Sequence, residues 1–102
     1  MRMLRFCHAR ALSVLRYSRV EIHESARRHG ISDEDIRHAF DHAVAVAELG
    51  DGRTLHLGPD PAANFLELIV QERIGMPPLV IHAMRMRSQY QRYLRRLGGN
   101  DA

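Results

Sequence analysis

"RTLHLGPDPAANFLELIVQERIGMPPLVIHAM", Arg53 to Met84, decides the fold. It contains three short runs rich in branched and apolar residues: "RTLHLG", "NFLELIVQE" and "LVIHAM". Pro/Asp/Gly-rich pieces, "PDPAAN" and "IGMPP", separate them. Apolar runs of this length between turn residues read as strands. Upstream, Asp51-Gly52 is a strong two-residue hairpin signal, and the preceding "AVAVAE" can form a further strand. Strands joined by tight turns are antiparallel neighbours.

Helical signals flank this region. Ser32 is a natural N-cap, and Asp33, Glu34 and Asp35 meet the positive end of the helix dipole in the first turn. Ile36, Ala39, Phe40, Ala43 and Ala47 then recur at helical spacing, with the helix giving way between Ala43 and Val46. A shorter helix, His23 to His29, is expected to end at the C-cap glycine Gly30. Ser88 and Gln91 form a capping-box pattern, and Tyr90, Tyr93, Leu94 and Leu97 make the apolar stripe of a last helix. The expected fold is α+β: a single antiparallel sheet of three to four strands with two N-terminal helices and one C-terminal helix.

The 102 residues suit one domain, and 45% hydrophobic residues fit a globular chain. The expected organisation is a basic N-terminal extension over 1–19, a folded domain over 20–97 and a flexible tail over 98–102. One cysteine, Cys7, excludes an internal disulfide and fits a reducing cytoplasm. The longest uncharged run near the start, Ala11 to Leu15, is far short of the ~20 apolar residues of a spanning helix, so no membrane association is expected. The acid-free start has the composition of a transit peptide, but an extension added by an upstream start codon fits its short, poorly amphipathic pattern better. There is no glycine-rich phosphate loop, and no cofactor is expected.

The net charge of +3 is unevenly spread. Residues 1–20 carry five arginines and no acid, residues 21–72 eleven acids against four arginines, and residues 73–97 six arginines and no acid. All fifteen basic residues are arginine. GC-rich codon usage accounts for that, and so does selection for a planar fork that grips phosphate. A basic helix with interleaved tyrosines can contact phosphates and stack on unpaired bases, and the same tyrosines fall at core spacing.

Strand alternation gives candidate site residues. If Leu55/Leu57, Leu66/Leu68/Val70 and Leu79/Ile81/Ala83 all face one core, then His56, Glu67 and His82 share the opposite face, with Arg85 and Arg87 just beyond the last strand. Histidine and carboxylate can move the protons of RNA cleavage, and arginine can stabilise the phosphorane-like transition state. The ordinary reading is a helix-covered face whose histidines are satisfied by hydrogen bonds. His38 and His42 stand four apart on a helix, a spacing that can grip a transition metal. A solvated helix face explains that pair, and no metal site is assigned.

"RRHGISDEDI", "RTLHLGPDPAANFLELIVQE" and "LVIHAMRMRSQYQRYL" together resemble the BrnT family of type II toxins over about residues 20–97. The resemblance implies a RelE-like fold and an endoribonuclease that inhibits translation by cutting RNA, including ribosome-associated mRNA. It implies neutralisation by a cognate DNA-binding antitoxin. Carried over by position, Arg28 and His29 match the family's lysine-histidine pair, and Arg53 matches a basic residue opening the hairpin. Arg85, Arg87 and Tyr93 fall in its basic terminal segment. The family's serine-alanine-arginine is His82, Ala83 and Met84 here, so its arginine is missing unless Arg85 or Arg87 replaces it. The assigned catalytic set is therefore His82, Arg85, Arg87, His56 and Glu67. The assigned RNA contacts are Arg53, Arg28, His29, Arg92, Tyr93 and Arg96. The competing reading is a catalytically silent module of the same fold that binds protein or nucleic acid; homo-oligomer formation is compatible with either.

Overall fold

The computed structural model describes residues 4–5 and 20–98, with side chains over 20–95. Six strands form one mixed sheet: β1 (Leu4–Arg5), β2 (Glu21–Ile22), β3 (Ala45–Gly50), β4 (Arg53–Pro59), β5 (Phe65–Gln71) and β6 (Leu79–Arg85), in the order β1-β3-β4-β5-β6-β2. The two α-helices are α1 (Asp33–Asp41) and α2 (Gln91–Gly98). The α+β class matches the sequence reading, but the purely antiparallel sheet of three to four strands does not. β2 pairs in parallel with β6, Glu21 against Leu79 and Ile22 against Val80. Even without the two-residue β1, residues 20–98 supply five strands. β2 escapes sequence reading because two residues cannot show a period.

The expected helix over His23 to His29 is a single 3-10 turn, Glu24–Arg27. Its entry is pinned when the amide of His23 donates to the Val80 carbonyl, 2.9 Å. Its exit turns at Gly30, φ +81°. Its amides bond three residues back, Ala26 to the His23 carbonyl and Arg28 to the Ser25 carbonyl, which is the tighter 3-10 pattern and not the α one. The structure thus has one N-terminal α-helix, not two.

α1 forms as its sequence dictates. Ser32 accepts from the amide of Asp35 at 3.1 Å, and Ile36, Ala39 and Phe40 are buried. β3 and β4 join at Asp51 and Gly52, φ +56° and +76°, the left-handed pair required by a tight hairpin turn. The other end of β4 carries Gly58, where an added Cβ would strike the Ala39 carbonyl oxygen and come 2.9 Å from Ala43 Cα. A residue without a side chain is what lets α1 lie directly on the strand.

The sheet is covered on both sides. On one, Leu66, Leu68, Val70, Val80 and Ala83 pack with Ile36, Ala39 and Phe40 of α1. On the other, Ala45, Ala47, Leu55 and Leu57 pack with Ile69, Met86, Tyr90, Tyr93 and Leu94. The tyrosines are thus the core stripe of the last helical segment. That segment does not begin with the expected capping box: Ser88–Tyr90 is a 3-10 turn whose N-cap, Arg87, makes no side-chain cap bond.

Candidate functional site

The leucines do not share one face. Leu55 opposes Ile69, whereas Leu68 opposes His56 and Ala83. Directly opposed residues lie on the same side of a sheet. His56 therefore belongs to the α1 side. It is nearly buried, its ring stacks on Phe40 with centroids 5.1 Å apart, and Nε2 lies 3.0 Å from Thr54 Oγ1. Arg85 opposes Leu66 on that same side, and its charge acts on Asp60. His56 and Arg85 are thus separated from Glu67 and His82 by the sheet. The grouping of all five assigned catalytic residues fails because both faces are covered and therefore apolar, so alternation alone cannot say which leucines go together.

Glu67, His82 and Arg87 do come together. The pairing of β5 with β6 slips between Ile69 and Val70, so His82 opposes Ile69 while Val80 opposes Val70. The extra residue, Ile81, has its carbonyl satisfied by the Ser25 hydroxyl at 2.7 Å. This bulge fixes His82 on the α2 side of the sheet beside Glu67.

Glu67 is fully buried. Its Oε1 accepts from the Arg87 amide at 3.0 Å, and its Oε2 accepts from Arg87 Nη2 at 2.7 Å. Arg87 Nε reaches both oxygens at 3.2 Å, and His82 Nε2 lies 3.1 Å from Oε2. Burial pushes this carboxyl up, but the Arg87 and His82 hydrogen bonds and the guanidinium charge outweigh it, holding the group below its ordinary range. Glu67 is consequently an ionised anchor. A carboxylate only accepts, so Nε2 of His82 carries the proton and Nδ1 is the basic nitrogen of the neutral ring.

His82 is about a quarter exposed. The ring of His29 meets it edge-on, centroids 5.7 Å apart, and Arg28 is exposed alongside. Two imidazoles thus stand at the rim of a buried carboxylate. Arg87 is half exposed and lies 6.0 Å from the Tyr90 ring centre. Tyr90 and Tyr93 stack at 6.3 Å, and the Arg92 guanidinium sits 5.3 Å from the Tyr93 ring centre. The side chain of Arg96 lies outside the described residues. Arg53 shares this side of the sheet but pairs with Gln71, its Nε 3.0 Å from Gln71 Oε1. Gln71 is four residues along β5 from Glu67, roughly 13 Å at strand spacing. Arg53 therefore stands apart from the cluster.

Ser25 was not a candidate in the sequence, and it could not have been. Its role arises from contact with a carbonyl 56 residues away at a bulge. Among the described residues, no group of three or more His, Cys, Asp or Glu is placed to hold a metal ion. No helix among them is long and apolar enough to cross a membrane. Comparison with protein-family models, curated proteins and solved structures finds no match.

Proposed function

We propose that this chain is a toxin-like endoribonuclease of a type II pair, acting in the cytoplasm and neutralised by a DNA-binding antitoxin. The observation that carries the reading is the Glu67–His82–Arg87 cluster with His29 against its rim. In the reaction, His82 Nδ1 takes the proton of an RNA 2′-hydroxyl as that oxygen attacks the adjacent phosphorus. The bond to the 5′-oxygen breaks, and His29 as imidazolium protonates the departing oxygen. The products are a 2′,3′-cyclic phosphate and a 5′-hydroxyl end. The N–H groups of Arg87 not spent on Glu67 face the developing negative charge. Glu67 touches no substrate in this scheme; it positions His82 and fixes its tautomer.

The resemblance to BrnT toxins agrees with this chemistry and supplies the antitoxin. The silent-module reading is favoured by one observation: Arg87 commits Nε, Nη2 and its backbone amide to Glu67, which a purely structural clamp would also do.

Induced expression in bacteria tests the proposal. Wild type is expected to arrest growth and leave transcripts with cyclic phosphate ends. His82→Ala and His29→Ala, at equal protein levels, are expected to do neither. Unimpeded growth and intact RNA with the wild type would leave the binding module.

A further inference from the structure

The 3-10 turn Glu24–Arg27 meets β6 at the bulge. The Ser25 hydroxyl donates to the Ile81 carbonyl at 2.7 Å, across 56 residues of sequence. A hydroxyl has one hydrogen and a carbonyl oxygen only accepts, so that hydrogen is committed to Ile81. The Ser25 amide donates to His23 Nδ1 at 3.1 Å, with Oγ 3.0 Å from the same nitrogen. The His23 amide donates to the Val80 carbonyl at 2.9 Å. The turn is thus tied to the carbonyls of the two residues that precede His82.

Each end of this tie leads to an imidazole. On the strand, Ile81 is the residue left over where the β5–β6 pairing slips, and His82 follows it. A bulge leaves backbone groups without ladder partners, and a carbonyl without a partner favours any register that pairs it. A one-residue slip that erased the bulge would turn His82 to the other side of the sheet, away from Glu67. On the turn, the Arg27 carbonyl accepts from the Gly30 amide at 3.1 Å, so His29 is carried directly at the exit. Its ring meets the His82 ring edge-on, centroids 5.7 Å apart.

We propose that Ser25 is a positioning residue: its hydroxyl joins the turn that carries His29 to the bulge that carries His82, and so sets how the two rings face each other. Its consequence for cleavage rests on the roles given to His29 and His82 above; the placement of the rings does not. A base and an acid acting on one phosphodiester tolerate little misplacement, with ~1 Å costing on the order of a hundredfold in rate.

The test combines nuclear magnetic resonance of the free protein with RNA cleavage. Wild type is expected to show cross-peaks between the ring protons of His29 and His82. Ser25→Ala should lose them, and Ser25→Thr, which keeps the hydroxyl, should retain them. Ser32→Ala removes a hydrogen bond from the start of α1 and controls for lost stability; it should retain them too. In cleavage, Ser25→Ala should lower kcat about tenfold or more with little change in KM. Cross-peaks absent from wild type or persisting in Ser25→Ala, or a Ser25→Ala kcat within about twofold of wild type, overturn the proposal. A wild type that cuts no RNA ends the cleavage reading and leaves the spectra to decide the role of Ser25.

Discussion

The two sides of the sheet are built on different principles. The α1 side is close-packed and mainly apolar, its buried His56 and Thr54 lying 3.0 Å apart, and Gly58 lets the helix backbone touch the strand. The α2 side carries a fully buried carboxylate among its leucines, tied to an arginine and a histidine that reach the surface. Packing and internal hydrogen bonding account for the first. The second keeps an ionised group where an apolar residue would fit, and buried ion pairs seldom stabilise a fold relative to good apolar packing. The difference points to the α2 side for function.

The contrast predicts where substitutions bite. The largest expected effect is Gly58→Ala, since the new methyl group meets the backbone of α1 and cannot be accommodated by a side-chain rotation. We expect a loss of about 3 kcal/mol or more in urea unfolding. Glu67→Ala comes next, at about 2–4 kcal/mol, because it leaves a cavity and orphans the Arg87 amide. His82→Ala should cost only about 1 kcal/mol, the loss of one hydrogen bond to Glu67, while abolishing RNA cleavage. Equal losses of stability in Gly58→Ala and His82→Ala would erase the distinction between the two sides.

Acid sharpens the same comparison. The folded carboxyl of Glu67 titrates below its ordinary 4.5, because its burial is outweighed by the hydrogen bonds from Arg87 and His82 and by the Arg87 charge. The unfolded state therefore takes up the proton first as pH falls. The stability this group contributes is complete above about pH 4.5 and is lost as pH drops through the lowered folded value. Urea midpoints measured from pH 6 to pH 3 should fall less steeply in Glu67→Gln than in wild type. The smallest effect is expected at Arg53, exposed and bonded only to Gln71 among its described polar contacts. Arg53→Ala should shift stability by no more than about 0.5 kcal/mol.

The elements with local signals were legible in the sequence. The Ser32 cap and the spacing of Ile36, Ala39 and Phe40 gave α1, and Asp51-Gly52 gave the β3–β4 hairpin. Three of the strands were equally plain. What was not legible depends on contacts between distant segments. The parallel pairing of β2 is fixed by β6, nearly 60 residues later. The bulge at Ile81 sets the side on which His82 emerges. For the same reason only part of the expected grouping forms: Glu67 and His82 meet, while His56 and Arg85 face the other way.

Cleavage of a single-stranded RNA by the purified chain is the most direct measurement. The account predicts products ending in 2′,3′-cyclic phosphate, at a rate reduced at least a hundredfold in His82→Ala and in His29→Ala, and unchanged in His56→Ala scored on folded protein. Cleavage that survives in His82→Ala, or that disappears in a folded His56→Ala, would contradict it.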